Sequence, residues 1–163
     1  MITSLLPNSI FLIPIRKPAQ HSYSLLSQHL RFCKLQKKDY FVRRYMNYLS
    51  HNEFGLNQKS WNNPIKFKDL NNINYWLEQW SLFYKKIFNN YKNHNNCYFV
   101  IYEELLNKTY VKNLLNKIDI NQNKNMDFNY FSNYNNDRIS LDLNDDCLKN
   151  ANNIYKNFPK LND

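Results

Sequence analysis

Two short stretches of the chain are apolar almost without interruption. The first, "SIFLIPIR" at positions 9–16, is typical of a buried strand. The second, "CYFVIYEEL" from Cys97, is rich in aromatic and β-branched residues, which also favours a strand. Pro14 fits the first strand poorly, because proline has no N–H for the hydrogen-bond ladder. The pattern therefore predicts two buried strands, with a long stretch of chain between them.

The other hydrophobic positions recur every three or four residues, the spacing of helices. Pro18 suits the first turn of one helix, Asp39 can cap a second, and a third is predicted over 73–91. The predicted apolar faces are Tyr23, Leu26, Leu30 and Cys33; Val42, Tyr45, Met46 and Leu49; Trp76, Trp80, Phe83, Ile87 and Tyr91; Val111, Leu114, Leu115 and Ile118; and Leu148, Ala151, Tyr155 and Phe158. Positions 51–70 predict a loop, and 119–141 show no clear period.

Strands that alternate with helices predict an α/β fold with parallel strand pairing. Two strands make a poor sheet, so we expect the domain to need strands that this chain does not supply. The length of 163 residues suits one domain, and 43% hydrophobic residues are enough to form a core. A wholly disordered chain is excluded on that ground.

Composition and charge restrict the classes of partner. The net charge of +9 fits either an anionic partner or simply a basic surface, and the sequence leaves both open. The three cysteines lie far apart and form no CxxC pair, which argues against a zinc ribbon or a disulfide framework. We therefore expect a reduced, cytoplasmic protein. The apolar start is too short to span a bilayer, so no membrane partner is expected.

The end of the first strand carries the best candidate for binding chemistry. Arg16 stands where the strand leads into a helix, and Ser22 and Ser24 lie just inside that helix. A guanidinium fork fits phosphate oxygens, and a helix start favours anions. Gly55 is the only glycine, so no glycine-rich phosphate loop is present and side chains must hold any phosphate. The alternative is an ordinary strand-end arginine that pairs with a surface carboxylate.

Other chemical motifs are weak. The histidines show no zinc spacing, and no catalytic triad can be defended from spacing. Positions 119–130 imitate a calcium loop but have Lys124 and Tyr130 where glycine and glutamate are needed. We expect no metal. "YEEL" at 102–105 predicts a strand end with solvated carboxylates.

The segment Arg16-x-Pro18 with Ser24 resembles the 3′-phosphate-binding segment of PAPS-dependent sulfotransferases of the bacterial type. Further stretches that resemble this family are "SLLSQHLRF", "FVRRYMNYLSHNEFG", "NYWLEQWSLFY" and "CYFVIYEELL", in the same order. The likeness covers roughly positions 7–118 and continues more weakly to 158. It implies a P-loop-like parallel sheet flanked by helices, and sulfuryl transfer from PAPS to an acceptor hydroxyl or amine.

The resemblance assigns roles to three residues. Arg16 and Ser24 would hold the 3′-phosphate, and Tyr102 would lie near the nucleotide. PAPS is the implied co-substrate, while the acceptor and the catalytic base stay unknown. The family's late nucleotide segment has only a loose candidate here, Arg138.

The family's 5′-phosphosulfate loop is absent from the sequence, so we expect a single partial domain over 1–163 that lacks its first strand and phosphate loop. An upstream-encoded segment that carries this loop is a possible partner. A different class of function, a basic RNA-binding or ribosome-associated protein, rests on charge and exposed aromatic residues. The resemblance favours a nucleotide over nucleic acid as the partner.

Overall fold

The computed structural model describes residues 2–61, 66–120 and 142–159. The strands are β1 (Phe11–Ile15) and β2 (Cys97–Ile101). The helices are α1 (Ile2–Leu5), α2 (Pro18–Lys38), α3 (Tyr40–Tyr48), α4 (Ile73–Tyr91), α5 (Lys108–Lys117) and α6 (Asp145–Lys156), and a 3₁₀ helix spans Tyr102–Leu106. Within the described ranges, no helix is both long and apolar enough to cross a membrane.

The two strands pair in parallel, with Phe11 opposite Cys97 and Ile15 opposite Ile101. The predicted α/β class with parallel pairing is therefore confirmed, as a helix-rich fold with a small sheet. Because parallel strands need a crossover, the chain between them passes through α2, α3 and α4. Among the described residues the sheet contains these two strands only.

Helix α4 runs through the middle of the core. Its predicted bounds of 73–91 are confirmed, and the Asn72 side chain caps it by accepting from Asn74 N–H. Trp76 and Trp80 are fully buried, as the aromatic spacing predicts, whereas Phe83 remains 38% exposed. The main core packs α4 against β2, α5 and α6, and the buried residues at its centre are Ile15, Leu77, Trp80, Tyr84, Phe99, Val100, Ile101, Tyr110, Leu114, Ala151, Ile154 and Phe158.

The inward face of α2 differs from the prediction. Leu26 is buried as expected, but Leu30 is 44% exposed. The other buried side chains of this helix include Ser22, His29 and Gln36, which are polar. His29 and Gln36 accept hydrogen bonds from the backbone N–H groups of Gly55 and Leu56, in the loop after α3, so their burial is compensated.

Helix α3 is also less buried than its spacing predicts. Asp39 caps it as expected by accepting from Phe41 N–H. Met46 is buried, but Tyr45 and Leu49 are 52% and 42% exposed. Few side chains of the helix are therefore buried against the rest of the protein, and several of its aromatic residues face solvent.

Candidate functional site

Arg16 and Ser24 meet at the junction between β1 and α2. Arg16 follows the last residue of β1, and α2 begins two positions later at Pro18. The Arg16 Nη1 atom donates to Ser24 Oγ at 3.0 Å, and Ser24 Oγ donates to the carbonyl of Gln20 at 3.1 Å. The α-helix brings Ser24 to this place because the first two turns of α2 fold back beside the end of the strand.

Tyr102 joins this pair from the other strand. It is the first residue of the 3₁₀ helix after β2, and its ring centroid lies 5.2 Å from the Arg16 guanidinium carbon. Tyr102 is 42% exposed, so the guanidinium lies beside a partly solvent-facing aromatic residue. The structure thus brings the three predicted site residues Arg16, Ser24 and Tyr102 close together. Whether they bind a nucleotide stays a prediction.

The Arg16 guanidinium keeps unused hydrogen-bonding capacity. Its Nε atom is buried and has no hydrogen-bond partner among the described residues. Among the described residues, no carboxylate forms an ion pair with it. A buried N–H without a partner is costly, so a movement of the side chain that exposes the Nε–H to an anion would recover a hydrogen bond.

Glu103 is a member of the site that the sequence did not indicate. One carboxylate oxygen accepts from Lys17 N–H at 2.8 Å, and the other accepts from the Tyr155 hydroxyl at 2.8 Å. The expectation of solvated carboxylates in "YEEL" is therefore wrong for Glu103. Burial raises the pKa of the Tyr155 hydroxyl, and its hydrogen bond to Glu103 raises that pKa further.

His21 lies between Arg16 and Ser24 in the chain, close enough to Arg16 and Glu103 for the charges of both to affect its pKa. The pKa of His21 is lowered from 6.5 to about 4, chiefly by burial and also by the Arg16 charge, while Glu103 partly opposes both effects. The imidazole is therefore neutral at physiological pH. A neutral ring adds no second positive charge, so Arg16 supplies the charge of this site.

Sequence reasoning missed both Glu103 and His21 because their neighbours are distant or polar. Glu103 contacts Lys17 across 86 positions, and no local pattern reports such a contact. Arg138 and most of the calcium-like stretch at 119–130 lie outside the described residues. Within the described ranges, no group of three or more metal-ligating side chains is found.

Comparisons with known proteins found no relative of this chain. No protein-family model, no curated protein and no solved structure matches the chain. A function for this chain is therefore inferred from the geometry of the site and from the resemblance of its motifs.

Proposed function

We propose that the chain is a sulfotransferase-like protein that binds the 3′-phosphate of PAPS through Arg16 and Ser24, with Tyr102 beside the nucleotide. The observation that carries the proposal is the Arg16–Ser24 hydrogen bond of 3.0 Å at the strand-to-helix junction. The resemblance of the surrounding motifs supports the same role. The P-loop-like character of the fold belongs to this proposal too.

The geometry supports phosphate binding for two physical reasons. The contact with Tyr102 and the bond to Ser24 restrict the long arginine side chain, so less conformational entropy is lost when an anion binds. The Arg16 guanidinium is a permanently charged, planar fork of donors that matches the geometry of phosphate oxygens. Ser24 can add a donor if its hydroxyl turns from the Gln20 carbonyl toward the phosphate.

Sulfuryl transfer would form one bond to sulfur and break another. The acceptor oxygen or nitrogen attacks sulfur, the bond from sulfur to the bridging phosphate oxygen breaks, and its electron pair leaves with adenosine 3′,5′-bisphosphate (PAP). The acceptor proton passes to a base, for which we assign no residue. Charge must also be stabilised on the leaving phosphate. Since the sequence has no glycine-rich loop for that phosphate, we expect residues 1–163 to bind PAP without turnover of PAPS.

The test compares PAP with AMP, which lacks the 3′-phosphate, by equilibrium dialysis with the chain of 163 residues. Arg16→Ala removes a charge-assisted contact that contributes about 1.5–3 kcal/mol, so PAP should bind roughly tenfold to a hundredfold more weakly. AMP should bind nearly as before. Ser24→Ala should show the same selectivity with a smaller loss, because one neutral hydroxyl is removed.

Arg31→Ala is the matched control, because Arg31 is an exposed arginine of the same helix. It should leave the ratio of PAP to AMP affinity unchanged. Equal losses for PAP and AMP in Arg16→Ala would mean that Arg16 only supports the fold. No loss for either nucleotide would refute the assignment of this site.

One observation favours the RNA-binding alternative. Helix α3 exposes Tyr40, Phe41 and Tyr48 by 75%, 69% and 84%, and Arg43 and Arg44 lie on the same helix. Exposed aromatic rings beside basic side chains suit base stacking. RNA binding that weakens steeply with salt, together with no preference for PAP over AMP, would support this alternative instead.

A further inference from the structure

A cavity lies at the amino end of β2, at the opposite end of that strand from Tyr102. Its volume is about 310 Å³, and its lining comes from the ends of α4 and α5, from β2 and from the segment after α6. None of the three proposed nucleotide-binding residues lines it. The cavity is therefore separate from the site at the strand-to-helix junction.

Two lysines from different helices line this cavity. Lys92 is the residue at which α4 ends, and Lys117 is the last residue of α5. Both side chains are exposed, so a molecule in solution can reach them. Within the described ranges neither lysine forms an ion pair, and no aspartate or glutamate lines the cavity. Two positive charges therefore lie at one cavity without a compensating carboxylate.

A lysine at the carboxyl end of a helix also stabilises that helix, because it lies near the negative end of the dipole. This effect explains why each helix ends in a lysine, but it does not explain why two such ends meet at one cavity. Like charges that line one cavity repel each other, and an anion bound between them replaces repulsion with attraction. The meeting of the two helix ends therefore favours an anionic ligand.

The walls of the cavity are held by contacts with the core. The Cys97 N–H donates to the His94 carbonyl at 3.1 Å, which fixes the turn between α4 and β2. The ring of Phe99, a lining residue, lies 6.0 Å from the Phe88 ring, and Lys92 Nζ lies 5.5 Å from the Phe88 centroid. This cation–π contact restricts the Lys92 side chain, so less conformational entropy is lost when an anion binds.

We propose that this cavity binds a small organic anion whose charged group is held by Lys92 and Lys117. The exposed amide of Asn95, which also lines the cavity, can donate a further hydrogen bond. Tyr98 is half-buried and Pro159 is exposed, and both offer accessible apolar surface to the body of the ligand. An inorganic ion would leave that surface unused, so the lining fits an anionic group attached to an apolar ring.

Naphthoate and naphthamide are matched probes, since they have nearly the same shape and only naphthoate carries a charge. Binding of each is measured by equilibrium dialysis with the whole chain at neutral pH, without nucleotide. The wild type should bind naphthoate roughly tenfold more tightly than naphthamide. Lys92→Gln and Lys117→Gln should each lower this ratio by about threefold to tenfold, the effect of one contact with a charged group near the surface. Both residues are exposed, so the variants should fold like the wild type.

Lys86→Gln is the matched control, because Lys86 is an exposed lysine of α4 that does not line the cavity. It changes the net charge equally and should leave the naphthoate-to-naphthamide ratio at the wild-type value. Arg16→Ala should leave the ratio unchanged too, which distinguishes this cavity from the proposed nucleotide site. The proposal is overturned if the wild type shows no preference for naphthoate, if Lys92→Gln or Lys117→Gln leaves the ratio unchanged, or if Lys86→Gln or Arg16→Ala lowers it as much as they do.

Discussion

Glu103 decides how an anion can approach the strand-to-helix junction. Its carboxylate already accepts from Lys17 N–H, at the start of α2. A helix start favours one negative charge, and here the protein supplies that charge itself. A phosphate that binds this junction must therefore approach through the Arg16 side chain, on the side of Tyr102. The specificity of the proposed site thus rests on one guanidinium rather than on the helix dipole.

His21 gives the protein a pH dependence of known sign. The pKa of His21 is lowered from 6.5 to about 4 in the folded protein, chiefly by burial. Between pH 6.5 and about 4, His21 is therefore protonated in the unfolded chain but neutral in the folded chain, so acid favours unfolding. The free energy of unfolding should be fully retained above pH 6.5 and should fall as the pH drops from 6.5 to about 4, by at most about 3 kcal/mol from this residue.

Chemical denaturation at several pH values measures this effect. His21→Phe keeps an aromatic ring beside Tyr84 and removes the titrating group, so its stability should fall less between pH 6.5 and 4 than that of the wild type. His29 contributes in the same direction, because burial lowers its pKa too, and this part should persist in the variant. If the two proteins lose stability in parallel, His21 does not titrate as the structure indicates.

At the scale of elements, the attachment of the loop after α3 to α2 depends on Gly55. Its φ of +90° is strained for any residue with a side chain, and an added Cβ would stand 2.5 Å from Gln36 Oε1. That oxygen accepts from Leu56 N–H at 2.7 Å. Gly55→Ala should therefore lower the free energy of unfolding by about 2–4 kcal/mol, through backbone strain and a disturbed buried hydrogen bond.

Ser50→Gly is the matched control for this substitution. Ser50 also has a positive φ, of 58°, and glycine adopts that conformation without strain. Its stability should stay within about 1 kcal/mol of the wild type, because relief of strain offsets the added freedom of the unfolded chain. Urea denaturation distinguishes the two results. A Gly55→Ala protein as stable as the wild type would mean that the loop can detach from Gln36 at little cost.

The helices show which features a sequence can predict. The extent of helix α4 follows from the aromatic residues, such as Trp76 and Trp80, that repeat at helical spacing, whereas its Asn72 cap is seen only in the structure. The inward face of α2 was not predicted correctly, because Ser22 and His29 are buried although they are polar. The Gly55 N–H, 26 positions away in the chain, donates a hydrogen bond to His29. Hydrophobic spacing carries no information about such a partner.

The candidate site also contains residues that the sequence predicts and residues that it does not. The strand-to-helix pattern placed Arg16 near both Ser22 and Ser24, the resemblance singled out Ser24, and the structure shows the hydrogen bond between Arg16 and Ser24. Tyr102 came from the resemblance, and its position beside Arg16 depends on the parallel register of β1 and β2. Glu103 and Tyr155 meet only in the folded protein, since their contact spans 52 positions and joins the 3₁₀ helix to α6.

At the scale of the whole molecule, one face of β1 is poorly covered. Side chains alternate along a strand, and Ile10 and Leu12 on one side are 48% and 47% exposed, whereas Ile15 on the other side is fully buried. Parallel sheets usually have both faces covered by helices. In the described part of the chain, the uncovered apolar face belongs to a sheet of two strands. Such a surface favours association with another copy of the chain.

Self-association through this face of β1 can be measured directly. Analytical ultracentrifugation of the wild type should show association that increases with protein concentration. Leu12→Lys places a charge on the exposed face and should shift the protein to monomer, with a change in the free energy of unfolding of less than about 1 kcal/mol, because the side chain is half exposed. Leu30→Lys, at a similarly exposed leucine of α2, is the control and should associate like the wild type. A monomeric wild type at all concentrations would contradict the role of this face, and equal effects of both lysines would show that net charge, rather than β1, governs association.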